Sequence, residues 1–132
     1  MAEEADAILG VLEWAAQQER WEEVLRLGLA VEGALIQGGL WGSWAALGER
    51  GMQAARALGD KAAEAWHLHQ SGTRALCLKD TSTAHAHLTE ALRLREALGD
   101  WEGASVTQHN LEVLGFGGLE ADHEREGNGP PT

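Results

Sequence analysis

The chain has almost no proline, almost no lysine and a single cysteine. Proline is absent until Pro130 and Pro131, so nothing upstream forces a helix to kink or stop. Two lysines stand against eight arginines, and the formal net charge of −11 produces an average field that repels phosphate backbones and anionic lipid surfaces. Nucleic acid and membrane surfaces are therefore not expected partners. The lone Cys77 has no second thiol to bridge and gives no sign of an oxidising compartment. With no neighbouring base to activate it, Cys77 is expected to be a small buried thiol near a helix end. The chain has no charge-free apolar run of about 18 residues. The opening MAEEADAILGVLEWAAQQE carries acidic residues where a secretory signal is basic. A soluble cytoplasmic protein is the expectation. Glycine-rich phosphate loops, paired catalytic carboxylates and Ser/His/Asp spacings are missing too, so neither an enzyme nor a cofactor is expected.

What is present is a helical pattern. With 132 residues, 44% of them hydrophobic and 23% charged, there is material for one domain with a true core. Apolar residues recur at helical rather than alternating spacing, which predicts helices over 3–18, 20–37, 40–58, 61–78, 82–98 and 101–115. From Gly117 the stretch GGLEADHEREGNGPPT mixes glycine, proline and charge without periodicity, so 117–132 is expected to be a flexible tail. The tetrapeptide ALGD occurs at 57–60 and again at 97–100. In each copy Ala-Leu completes a buried turn, glycine can take the left-handed conformation that ends a helix, and aspartate can cap the next one. The tetrapeptide predicts a helix-to-helix corner.

Between the corners lies one complete unit, residues 61–100. Its first helix carries Ala65, Leu68, Gly72 and Ala75 on one stripe, and its second carries Ala84, Leu88 and Ala91. Small residues let two backbones cross closely while leucines fill the space beside the crossing. Leu68, Gly72, Ala84, Leu88 and Ala91 resemble the interlocking pattern of the tetratricopeptide repeat, or TPR. The forty-residue period exceeds the roughly 34 of the standard unit and is similar to the longer variant common in STAND-type signalling ATPases. WEGASVTQHNLEVL resembles the first helix of a further unit, with Asn110-Leu111 where that variant commonly has Asn-Leu and Glu112 in place of a small residue. In 21–60 the corner and length persist, but Trp44, Gly48 and Gly51 stand where the complete unit has Ala84, Leu88 and Ala91, so that interface is expected to pack differently. The resemblance implies an all-α fold of antiparallel helix pairs, about six helices, stacked as a short right-handed TPR-like solenoid over 1–116. Residues 1–19 form an end helix with Ile8, Leu12 and Ala15 facing inward, 20–60 a degenerate repeat, 61–100 the best repeat and 101–116 a partial repeat or capping helix.

In that family the first helix of each pair lines a concave face that holds a peptide or protein. The register of the complete unit places Trp66, His69, Thr73 and Leu76 there, flanked by Arg26, Leu29, Gly33 and Ile36 on one side and Val106, His109, Val113 and Phe116 on the other. Members that grip a carboxylate terminus use Lys, Arg and Asn at these sites; only Arg26 qualifies, so an apolar groove for an amphipathic helix, peptide or protein is expected. Burial of the same face in a homodimer is the competing expectation; core packing, with the register one residue out, is the structural one. No metal site is expected: His67/His69 and His85/His87 are spaced by two, which points each pair to nearly opposite sides of a helix, and a His69–His109 pair lacks a third ligand. The six tryptophans are expected mostly as core and corner anchors, with Trp66 an exposed binding residue.

Overall fold

The computed structural model describes the backbone of residues 2–127 and the side-chain surroundings of residue 4 and residues 6–115. Six helices follow one another: α1 (Ala2–Gln17), α2 (Trp21–Gln37), α3 (Trp41–Leu58), α4 (Lys61–Cys77), α5 (Thr81–Ala97) and α6 (Trp101–Gly127), with no strand among the described residues. The first five lie within one residue, at each end, of the spans that periodicity predicts. Helix α6 runs beyond Gly117, where the composition predicts a flexible tail; the Phe116 side chain and the packing of 117–132 lie outside the described residues.

The five corners share one construction. Glu19, Gly39, Gly59, Lys79 and Gly99 all have left-handed backbone, with φ between 55° and 73°, and follow one another at intervals of twenty residues. At each, the next amide donates back around the turn: Arg20 N to Ala15 O, Leu40 N to Leu35 O, Asp60 N to Ala55 O, Asp80 N to Ala75 O and Asp100 N to Arg95 O, at 2.8–2.9 Å. This six-to-one bond satisfies an orphan carbonyl and reverses the chain. Gly59 and Gly99 thus act as the ALGD tetrapeptides predict. Their aspartates complete the motif, because Asp60 accepts from Ala63 N at 3.0 Å and Asp100 from Gly103 N at 3.0 Å. Asp80 does the same for Thr83 N, whereas the corners at Arg20 and Leu40 have no side-chain cap.

Each helix packs against its sequence neighbours, with further contact between α1 and α3 and between α4 and α6. The architecture is all-α, antiparallel helix pairs stacked one on the next in a helical-repeat arrangement. At the α4–α5 crossing, a Cβ added to Gly72 would lie 2.6 Å from Leu88 Cγ and 3.2 Å from its backbone nitrogen, and Leu88 is fully buried. Forty residues earlier the same positions hold Glu32 and Gly48, and the crossing shifts as expected: fully buried Leu47 packs over Gly28, while Trp44 joins a core with Leu12, Ala15, Val24 and Leu35. Leu12 and Ala15 are buried and Ile8 half-buried, as the periodicity of α1 predicts. Arg50 clamps Glu13 with two hydrogen bonds, at 2.8 and 2.6 Å, tying α3 to α1. In α6 the positions in register with buried Ala65, Leu68, Gly72 and Ala75 are Ser105, Gln108, Glu112 and Gly115, all exposed.

Replacing Gly72 by leucine is expected to destabilise the fold by about 1–3 kcal/mol or more, because the Leu88 backbone cannot retreat. Leu88→Ala is expected to cost about 2–5 kcal/mol. Lys79→Gly should work in the opposite direction, stabilising by about 0.5–1 kcal/mol by relieving left-handed strain. Urea denaturation of the three variants checks the crossing and the corner independently; three parental midpoints would refute both.

Candidate interaction groove

Helices α2, α4 and α6 occupy the same place in successive pairs. Between α2 and α4 runs a groove of about 740 Å³ lined by Leu25, Arg26 and Leu29 on one side and by Ala62, Ala63 and Trp66 on the other, with Leu58, Asp60, Glu22 and His67 completing it. Leu29 is 59% exposed and Trp66 37% exposed, an apolar pair facing solvent across the groove. Arg26, Leu29 and Trp66 are therefore brought together as the register predicts. Ile36, further along α2, and Val106, His109 and Val113 on α6 are exposed as well, but they do not line this groove.

The rest of the predicted stripe on α4 turns toward α6. His69 is 7% exposed, its Nδ1 lying 3.0 Å from Thr107 Oγ1. Thr73 is half-buried and accepts from Asn110 Nδ2 at 3.0 Å, and half-buried Leu76 packs against the cluster of Ala75, Ala84 and Leu114. These three residues form a seam between helices instead of an open face. The physical reason is the approach of α6 to α4: once the two touch, one flank of the α4 stripe is consumed by packing and only the flank carrying Trp66 remains open.

The seam is polar but satisfied. Arg95 Nη1 donates to Thr107 Oγ1 at 2.9 Å and to Gly103 O at 3.0 Å, and Thr107 Oγ1 donates to Gly103 O at 3.2 Å. With its proton directed to Gly103, the hydroxyl can only accept from His69, so Nδ1 of the neutral ring carries the hydrogen. Burial, reinforced by the Arg95 charge, pulls the His69 pKa down from 6.5 to about 4. Burial lowers that of His67 as well.

Several groove residues escaped the sequence. Leu58 and Asp60 belong to the ALGD corner, whose Ala-Leu is expected to be a buried turn, whereas Leu58 and Leu98 are both exposed; Ala62 and Ala63 open α4 where small residues signal nothing by themselves. One further expectation is corrected and another holds in part. Cys77 is exposed, because it ends α4 beyond the last buried turn at Ala75. Only Trp44 of the six tryptophans is fully buried; Trp14, Trp41 and Trp101 are exposed like Trp66, and Trp21 is half-buried. Trp21, Trp41 and Trp101 each start a helix just after a corner, at the corner positions expected of them, although Trp41 and Trp101 are not buried there. Among the described residues no three His, Cys, Asp or Glu side chains converge as a metal site, and no helix is long and apolar enough to cross a membrane. No protein-family model matches the chain, and no curated protein and no solved structure matches it either.

The histidines make stability depend on pH. His69 titrates near 6.5 in the unfolded chain and near 4 in the fold, so the unfolded state binds more protons between those values. Its contribution is complete above pH 6.5 and is lost as pH falls toward 4, by at most about 3 kcal/mol. Carboxylates held low in the fold, such as Glu13 and Asp80, act only in the more acidic range. Thermal melts between neutral pH and about pH 4.5 should show the loss, and His69→Asn should flatten part of it; equal slopes in both proteins would refute the assignment.

Proposed function

We propose that this chain is a non-enzymatic protein-interaction module of the long-period TPR type that takes an amphipathic helix in the α2–α4 groove. The observation that carries the proposal is the pair Leu29 and Trp66, two large apolar side chains left open to solvent on opposite walls of one groove. A rigid aromatic beside an aliphatic wall gives much contact area at low entropic cost. The rim and the field select the partner further. Glu22 and Asp60 border the groove, and with the net charge of −11 they favour a helix whose polar face is basic. Self-association is disfavoured by the same charge. The forty-residue period supports kinship with the sensor regions of STAND-type signalling ATPases, and the lone cysteine supports a cytoplasmic setting.

A synthetic amphipathic helix with leucine on one face and lysine on the other should bind the full chain, measured by titration calorimetry, and its glutamate-faced counterpart should not. Trp66→Ala should weaken the basic peptide by about tenfold or more while leaving the melting curve near the parent's. Affinity should fall with added salt. Binding that ignores both peptide charge and Trp66 refutes the groove, and light scattering that shows a dimer lost in Trp66→Ala shifts the face to self-association.

A further inference from the structure

A second cavity, about 460 Å³, opens where α3 faces α4, with Glu32 of α2 and His87 of α5 completing its wall. Its origin is a missing side chain. Leu88 fills the α4–α5 crossing, but forty residues earlier stands Gly48, and a Cβ built there meets nothing within 4 Å. In the preceding pair the leucine stands one position earlier, as Leu47 over Gly28, and the space beside Gly48 stays open.

The cavity wall is chemically unlike a packing defect. A void left by poor packing is lined by apolar groups, since buried polar groups without partners are costly. Here Glu32 is 4% exposed, and its carboxyl accepts a hydrogen bond from the Gln70 amide. Among the described residues no cation pairs with Glu32. His67, 3% exposed, forms part of the same wall; its ring lies against the Gly51 backbone so closely that a Cβ at Gly51 would overlap it, and its Nδ1 has no partner. Ser71 and His87, joined at 2.8 Å, add a hydroxyl, while Trp44 and Met52 provide an apolar side. Two arginines, Arg56 and Arg74, and a second carboxylate, Glu49, also line the cavity, and Arg56 lies 3.7 Å from Glu64.

We propose that this cleft binds a small organic cation, a primary amine whose ammonium pairs with Glu32 and whose apolar body rests against Trp44 and Met52. An ammonium brings three donors and no acceptor, which suits a wall holding an unpaired carboxyl and a hydroxyl. Entry of the cation gives the buried carboxyl the counter-charge that the fold does not supply. The site shares His67 with the peptide groove, but neither Leu29 nor Trp66 belongs to it.

Benzylamine and phenethylamine are suitable probes, with benzyl alcohol and benzoate as neutral and anionic controls of similar shape. Calorimetry and thermal melts of the full chain should show saturable binding and a raised melting temperature with the two amines alone. Glu32→Gln keeps the size of the side chain and an acceptor for Gln70, and should weaken amine binding about tenfold or more. Gly48→Leu should fill the cleft, raising the melting temperature of the free protein while abolishing amine binding, so the test survives even where Glu32→Gln fails to fold. Trp66→Ala should leave amine affinity unchanged. Amines that stabilise no more than benzyl alcohol, or that bind Gly48→Leu as well as the parent, overturn the proposal.

Discussion

Every junction in this chain rests on a left-handed residue placed once in twenty. An α-helix cannot reverse direction without a residue that leaves the right-handed region while its last carbonyls still find donors, and the six-to-one amide bond at each corner meets both demands. Helices of 16–18 residues, each about 25 Å long, are thereby cut to one length and laid antiparallel. Glycine occupies three of the five corners. At Glu19 and Lys79 the surrounding hydrogen bonds hold an ordinary residue in the same conformation, so the constraint belongs to the stack more than to any one residue type.

Identical corners do not produce identical crossings. The α4–α5 pair closes because glycine on one helix receives leucine from the other. In α2–α3 the leucine moves by one position to Leu47, its glycine partner becomes Gly28, and the vacated positions hold Glu32 and Gly48. One leucine's displacement accounts for Trp44 entering the core, for an acidic group being buried and for the open space beside it. A repeat can keep its frame while its interior diversifies, because the frame is set by backbone bonds and the interior by side-chain volume.

Buried polar groups divide along the same line. Between α4, α5 and α6 they are joined into one network: His69, Thr107, Arg95 and the Gly103 carbonyl exchange hydrogen bonds, and Asp100, which caps α6, helps keep the Arg95 guanidinium charged against the effect of burial. Between α2, α3 and α4 they are not. Glu32 has an amide but no cation, and His67 Nδ1 has no partner. A fully connected network rigidifies, whereas an incomplete one invites something from outside to complete it.

Apolar spacing alone determined that the chain is helical, where α1 to α5 begin and end, which face of α1 turns inward, and that Gly72 must sit close to a neighbour. These are local properties: a helix needs its own periodicity, and a corner needs one left-handed residue and an amide that donates back around the turn within five positions. Fold decided what lies across each helix. His69 reads as a groove residue until Thr107, thirty-eight positions later, arrives beside it; Cys77 reads as buried until the packing of α4 stops at Ala75; Leu58 reads as part of a buried turn until α2 and α4 place it on a groove wall. Periodicity tells which stripe of a helix is apolar, but a stripe has two flanks, and which flank is covered depends on the approach of another helix that no local pattern encodes.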